Sequence, residues 1–159
     1  MARSNKPFLV HPNIRLAAGI LFSVYGLLLV KVLFLGPYRF GPGRYNLAPF
    51  NSLVYYIKSY NDMNIDTWFL NLFGNVIMFM PLGFLLPLLL TKMAKWRQIL
   101  YASILTSSIL EILQFGLGKG SLDVDDILLN TVGGVIGYSI FLMGAKIYTT
   151  CTAATGGSS

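Results

Sequence analysis

Four of the six acidic residues in this 159-residue chain lie within one short stretch, and they are its strongest candidates for chemistry. Asp123, Asp125 and Asp126 are almost consecutive, and Glu111 lies in an apolar segment that precedes them. Ionised carboxylates coordinate hard cations such as Ca²⁺ and Mg²⁺ and accept hydrogen bonds from ammonium and hydroxyl groups. Two carboxylates also perform acid–base catalysis when their pKa values differ. The stretch therefore predicts either a binding site or a catalytic site.

Amide side chains recur near these acids at helical spacing. Asn71 and Asn75 are four residues apart and so share one face of a helix. Gln114 and Asn130 each follow an acid by three or four residues, and Lys119 is the nearest cation. The predicted ligand-binding set is Asn71, Asn75, Glu111, Gln114, Lys119, Asp123, Asp125, Asp126 and Asn130. Glu111 and Asp126 are the catalytic candidates. A divalent cation, Ca²⁺ or Mg²⁺, is the one cofactor that these residue types suit, and Glu111, Asp123 and Asp126 are its candidate ligands.

Several other chemistries lack the residues they need. The single histidine, His11, lies near the chain start, on the opposite side of the membrane from the acids in the predicted topology, so no serine–histidine or cysteine–histidine pair is available. A zinc site is not expected either, because zinc is bound mainly by histidine and cysteine side chains, and no histidine lies near the acids. Cys151 is the only cysteine, which excludes an intramolecular disulfide. The net charge of +6 comes from basic residues at the ends of apolar segments, so we predict no nucleic-acid partner.

The elements that position these residues are membrane helices. The chain is 55% hydrophobic and 11% charged, whereas about a quarter of the residues in soluble domains are charged. A spanning helix needs about 20 apolar residues, and four stretches qualify, at about 16–35, 68–90, 98–116 and 127–148. The sequence predicts an all-α polytopic bundle over 16–148. Residues 1–15 are predicted to form a cytoplasmic segment, and the polar tail 149–159 is predicted to be disordered.

Basic residues predict the orientation of the bundle, because they concentrate in short cytoplasmic loops. Seven basic residues and no acid fall on one side: Arg3, Lys6, Arg15, Lys92, Lys95, Arg97 and Lys146. The other side carries Lys31, Arg39, Arg44, Lys58 and Lys119, together with the acids. Both termini are therefore predicted to be cytoplasmic, and loops 36–66 and 117–126 are predicted to lie outside. This topology brings polar residues of three helices to one depth near the outer surface.

An ionised Glu111 is energetically unfavourable at its position in a predicted membrane helix. It is roughly 20 Å along a helix that begins near residue 98, within a hydrocarbon core about 30 Å thick. A charge at the centre of a membrane helix costs about 2.5–3.5 kcal/mol on insertion scales. The carboxylate must face the bundle interior, a wet cavity or a cation, or be protonated. A functional role is favoured over a purely structural hydrogen bond.

Two further segments have a structural interpretation beside a functional one. Residues 50–60 in the long outer loop are rich in aromatic side chains and predict a short interfacial or re-entrant helix, either as an anchor or as a lid over the site. Gly133 and Gly137 form a small-xxx-small pair that lets another helix approach closely. That helix belongs to the same chain, or to a second copy in a homo-oligomer.

Several segments together resemble the VanZ-like family of bacterial membrane proteins. They are NLAPF at 46–50, NLFGN at 71–75, FMPLG at 79–83, EILQ at 111–114 and GKGSLDVDD at 118–126, followed by Asn130 and the glycines. Ala48 stands where the family usually has isoleucine, and Lys119 where it usually has arginine, which removes bidentate recognition of a phosphate or carboxylate. The resemblance implies the outer face of a bacterial plasma membrane and low-level resistance to teicoplanin, a lipid-tailed glycopeptide, more than to vancomycin.

Three functions are consistent with these observations. The first is binding of an amphiphile, either a lipoglycopeptide antibiotic or a cell-envelope lipid, by an outward-facing acidic and amide site. The second is an enzyme that modifies a lipid-linked envelope component with Glu111 and Asp126 as acid and base or as metal ligands. The third is a transporter or a purely structural partner, and the lack of a visible inverted repeat argues mildly against the transporter. Ligand binding without a product distinguishes the first from the second.

Overall fold

The computed structural model describes residues 12–35 and 45–155. Four helices in this part of the chain are long and apolar enough to cross a membrane, and they form the predicted all-α polytopic bundle. A shorter helix lies in the predicted loop. The elements in chain order are α1 (Pro12–Leu35), β1 (Tyr45–Asn46), α2 (Asn51–Lys58), α3 (Ile65–Leu89), a 3₁₀ turn (Thr91–Met93), α4 (Trp96–Gly116), β2 (Leu122–Asp123) and α5 (Val124–Thr155).

The long helices begin earlier than their apolar segments do. The first turn of a helix has amide groups without partners inside the helix, and polar side chains satisfy them. The Asn64 side chain accepts from the Asp66 amide at 2.9 Å ahead of α3, and Gln98 accepts from the Lys95 amide at 3.1 Å ahead of α4. Apolar periodicity does not register these polar turns, so the predicted starts at 68, 98 and 127 fall too late.

The prediction of a disordered tail is wrong for residues 149–155. Helix α5 continues without a break to Thr155. The hydroxyl groups of Thr149 and Thr150 donate to the Lys146 carbonyl, so polar side chains in this turn are satisfied by the helix itself. Residues 156–159 lie outside the described part, as do residues 1–11, which include Arg3, Lys6 and His11. The same holds for residues 36–44, which include Arg39 and Arg44.

Helices α3 and α5 pack with their backbones in contact. A Cβ atom added to Gly133 would lie 2.1 Å from the Val76 carbonyl oxygen, and one added to Gly137 would lie 1.9 Å from that of Met80. Gly83 and Gly134 approach each other in the same way. The small-xxx-small pair thus serves packing within the chain. A homo-oligomer through Gly133 and Gly137 would require α3 to move away from this face.

The other two long helices flank this central pair. Helix α4 packs along α5, and α1 packs along α3 while burying only Ala18 and Leu29 of its own residues. At one end of the bundle, Arg15 donates to the Leu89 carbonyl oxygen and the Tyr138 hydroxyl donates to that of Ala94. All four acids of the cluster lie toward the other end, which we call the acidic end.

The acidic end is closed by α2 and a minimal sheet. Strands β1 and β2 pair in parallel, with Tyr45 opposite Leu122 and Asn46 opposite Asp123. The Trp68 indole of α3 donates to the Tyr56 carbonyl oxygen of α2 at 3.0 Å. The predicted loop helix is therefore present, and it is fixed to both the start of α3 and the start of α5.

Candidate functional site

Asp125 fixes the position of α2 from outside that helix. One carboxylate oxygen accepts from the Phe50 amide at 2.6 Å, and the other accepts from the amides of Ser52 and Leu53 at 2.8 and 3.2 Å. No side chain within α2 caps its start, and Phe50 has a left-handed backbone conformation with φ of 67°. Asp125 supplies the missing acceptors and places a negative charge at the positive end of the helix dipole. Its side chain is only 1% exposed.

Asp123 joins three segments of the chain. One of its carboxylate oxygens accepts from the Asn46 side chain at 3.0 Å and from the Asp125 amide at 2.9 Å, which caps the start of α5. The other accepts from the Ser52 hydroxyl at 2.5 Å. We call Asn46, Ser52, Asp123 and Asp125 the loop clamp. Both carboxylates of the clamp are occupied by hydrogen bonds within the protein.

A small polar cavity lies beside the clamp, enclosed by α1, α3, α4 and α5. Its volume is about 40 Å³, which holds one water molecule or a chemical group of similar size. Seven of the nine predicted site residues line it, whereas Asp123 and Asp125 do not. The predicted residues in the wall are Asn71, Asn75, Glu111, Gln114, Lys119, Asp126 and Asn130.

The polar side chains of the cavity are held by neighbouring elements. Glu111 is 5% exposed and accepts from the Asp123 amide at 3.1 Å. Asn75 donates to the Asp126 carboxylate at 2.5 Å, which links α3 to α5. Gln114 donates to the Leu33 carbonyl oxygen at 3.2 Å, in the last turn of α1. The expectation that Glu111 faces the bundle interior is met by this geometry.

Asn130 combines a fixed orientation with an acceptor that lacks a donor. Its side-chain nitrogen donates to the Ser107 hydroxyl at 2.8 Å. Its side-chain oxygen is buried and has no hydrogen-bond partner among residues 12–35 and 45–155. A buried acceptor without a donor costs about 1–3 kcal/mol, so this atom indicates a missing donor from a water molecule or a ligand.

The wall of the cavity carries more negative than positive charge. Among residues 12–35 and 45–155, the ionisable side chains of the wall are Glu111, Asp126, Lys119 and the phenol of Tyr56. With both acids ionised and Tyr56 neutral, these described side chains have a formal charge of −1. Across the described residues, no group of three or more acidic, histidine or cysteine side chains is arranged to hold a metal ion. Asp123, a predicted metal ligand, does not line the cavity, and both of its carboxylate oxygens accept hydrogen bonds within the clamp.

Sequence reasoning missed some of the residues in the wall and all of the partners in the clamp. Tyr56 and Ser121 line the cavity, and Val32 and Leu110 form part of its apolar wall. Tyr56 belongs to the aromatic loop that was predicted as an anchor or lid, and this was the one available signal. Asn46 lies in the NLAPF segment, but nothing in its type indicated a bond to an acid 77 positions away.

Comparison with known proteins places these segments in context. The VanZ/LLP1 family model matches residues 22–145. Protein VanZ of Enterococcus faecium is 31% identical over 78 residues, which cover 49% of this chain and 48% of that protein. The alignment thus spans about half the length of the curated relative. No solved structure matches the chain significantly.

Proposed function

The chain belongs to the VanZ/LLP1 family, and from that premise we propose that its polar cavity binds the head of an amphiphile. The ligand is either a lipid-tailed glycopeptide such as teicoplanin or a lipid of the bacterial cell envelope. Binding lowers the amount of antibiotic that reaches its target, or holds the envelope lipid that the antibiotic needs. The protein then acts in resistance to teicoplanin, as its family resemblance implies.

The observation that carries this proposal is the buried acceptor of Asn130 in the wall of a cavity that also contains Glu111 and Asp126. Burial of the Glu111 carboxylate and of an acceptor without a donor is expensive unless a ligand or water provides compensating contacts. A cavity of about 40 Å³ accepts only one small polar group. The remainder of a large ligand therefore lies outside it, along the apolar surface of the bundle.

The acidic end faces the outside of the cell in this proposal, where a glycopeptide arrives. The distribution of basic residues supports this orientation. A single-cysteine experiment tests it: Asn61→Cys in a Cys151→Ser background reports on the loop before α3, and the native Cys151, which is exposed, reports on the other end. In intact cells an impermeant thiol reagent is expected to label Asn61→Cys and to leave Cys151 unlabelled. The reverse pattern refutes the proposed orientation.

Direct binding tests the function. The purified chain in nanodiscs is titrated with teicoplanin and, separately, with vancomycin. Wild type is expected to bind teicoplanin more tightly than vancomycin, and Glu111→Gln or Asp126→Asn is expected to weaken teicoplanin binding about tenfold, which corresponds to about 1.4 kcal/mol. Asp62→Asn removes the same charge at an exposed position and is the matched control.

Equal binding of teicoplanin by wild type, Glu111→Gln and Asp126→Asn contradicts a role for the cavity. If no glycopeptide binds, the envelope-lipid form of the proposal is tested by the lipids that purify with wild type and with Glu111→Gln. The proposal expects a lipid that is depleted in the variant, and identical lipid profiles refute it.

An enzymatic role is the alternative function. The presence of both Glu111 and Asp126 in one cavity favours it over a transporter or a structural partner. One acid would then donate a proton to a lipid-linked envelope component while the other accepts one. Mass spectrometry of envelope lipids separates the two functions. A product mass that depends on both acids supports the enzyme, whereas unchanged masses with intact binding support the binding protein.

A further inference from the structure

The hydrogen-bonding balance of the polar cavity indicates what kind of head group it receives. Asn130 presents an acceptor, because its nitrogen is already committed to Ser107. The Asn75 nitrogen is committed to Asp126 in the same way, and the Gln114 nitrogen to Leu33. Each of these three amides thus directs a donor to the protein, whereas the Asn130 oxygen is a buried acceptor that lacks a donor. A ligand that satisfies this oxygen must bring a donor of its own.

The charge and the volume of the cavity restrict the possible head groups further. The described side chains of the wall have a formal charge of −1 with both acids ionised, so they favour a cation. The cavity holds about 40 Å³, close to the space one water molecule occupies. A primary ammonium group has one positive charge, three donors and this size. A trimethylammonium group has no donor, is larger, and is usually bound by a cage of aromatic side chains. Among the residues that the structure describes, Tyr56 is the one aromatic residue in this wall.

An apolar groove lies along α1, one helical turn from the part of that helix that lines the cavity. Val32 lines the cavity, and Leu28, Tyr25 and Leu21 follow it toward the middle of the helix on the same face. These three residues, with Met80 and Phe84 of α3, form a groove of about 500 Å³ whose surface is entirely apolar. From Val32 to Leu21 the path is roughly 16 Å at 1.5 Å per residue. A ligand with its head in the cavity has a defined place for one hydrocarbon chain.

We propose that the ligand is an amphiphile with a primary ammonium head, which the polar cavity binds, and a hydrocarbon chain, which lies in the groove between α1 and α3. This inference rests on the proposed function and specifies its ligand class. A lipid-tailed antibiotic with a free primary amine and an aminolipid of the envelope share this chemistry. The occupant of the groove is the chain of that same molecule.

Calorimetric titration of the full chain in phosphatidylcholine nanodiscs tests the proposal with four probes of defined chemistry. They are dodecylamine, dodecanol, dodecyltrimethylammonium and methylammonium, and empty nanodiscs correct for partitioning into lipid. Dodecylamine is expected to bind one saturable site about tenfold more tightly than each other probe. Glu111→Gln and Asp126→Asn should each weaken dodecylamine binding about tenfold, while Asp62→Asn should leave it unchanged. Circular dichroism checks that each variant is folded. If one of the two acid variants fails to fold, the other still tests the proposal.

Each contrary result overturns a different part of the proposal. If dodecanol binds as tightly as dodecylamine and binding still depends on Glu111, the ammonium class is wrong while the amphiphile site stands. If dodecyltrimethylammonium binds equally well, recognition is by charge alone and the primary-amine assignment is wrong. If methylammonium matches dodecylamine, the groove has no role and the ligand is a free amine. If no probe binds saturably, the ammonium proposal fails, whatever glycopeptide titration shows.

Discussion

The acidic cluster divides into two halves that are adjacent in sequence and different in role. Asp123 and Asp125 hold the loop clamp with five hydrogen bonds to other segments or to the α5 start at 3.0 Å or less. Asp126 and Glu111 line the cavity together with the unpartnered acceptor of Asn130. One half holds the fold together, and the other half lines the cavity that we propose binds a ligand. Residue type alone therefore says less about function than the destination of each carboxylate oxygen.

The largest loss of stability is expected from Asp125→Ala. The change leaves three backbone amides at the start of α2 without their acceptor, and a charged acceptor of this kind contributes about 3 kcal/mol. Thermal unfolding in detergent, followed by circular dichroism, measures the effect. Asp62→Ala, at an exposed position, should shift unfolding by less than about 0.5 kcal/mol. If the unfolding curve of Asp125→Ala superimposes on that of wild type, the loop clamp does not stabilise the fold.

Gly133→Ala comes next, because both halves depend on the close contact of α3 and α5. The new methyl group would meet the Val76 carbonyl oxygen at 2.1 Å, and overpacking of this kind costs about 2 kcal/mol. It also pushes Asp126 away from Asn75, so ligand binding should weaken together with stability. Gly144→Ala is the matched control, since nothing lies within 4 Å of its new methyl. It should be neutral or stabilising by up to about 1 kcal/mol. Equal effects at the two positions contradict the packing argument.

Ser52→Ala probes the clamp without touching the cavity. The hydroxyl donates to Asp123 and accepts from Asn46, and its loss should cost about 1 kcal/mol of unfolding free energy. Teicoplanin or dodecylamine binding should be unchanged. A variant of normal stability that no longer binds either probe would show that the two halves are not separable in this way.

The smallest effect on stability is expected from Glu111→Gln. Glutamine retains an oxygen for the Asp123 amide, so unfolding should change by less than about 1 kcal/mol. Binding should nevertheless fall about tenfold, because the cavity loses a negative charge. Measuring the unfolding midpoint and binding on one preparation checks this. A variant that loses stability in proportion to binding would mean that Glu111 is structural.

The sequence predicts much of the fold because long apolar segments have few options in a membrane. Four such segments gave four helices, and their alternation brought Asn71, Glu111 and Asp126 to one end. The ends of the helices were less predictable, since polar caps and the helical tail to Thr155 depend on local hydrogen bonds rather than on hydropathy. The helix that packs on Gly133 could not be predicted either. A small residue indicates that another helix approaches closely, but not which helix it is.

The division of the acidic cluster could not be predicted from the sequence. Asp125 accepts from amides more than 70 positions earlier, and backbone donors carry no signature in residue type. The sequence therefore grouped Asp123 and Asp125 with the ligand set on proximity alone. Asn130 belongs to the predicted ligand-binding set and lines the cavity, but its oxygen is identified as lacking a donor only once Ser107 is placed beside its nitrogen.

Growth inhibition by teicoplanin and vancomycin tests most directly whether the cavity half of the cluster carries the function. A susceptible Gram-positive host expresses wild type, Glu111→Gln or Asp62→Asn at matched levels in the membrane. We expect wild type and Asp62→Asn to protect against teicoplanin more than against vancomycin, and Glu111→Gln to give no protection. Protection by Glu111→Gln equal to that by wild type would contradict the account, because the cavity would then have no part in resistance.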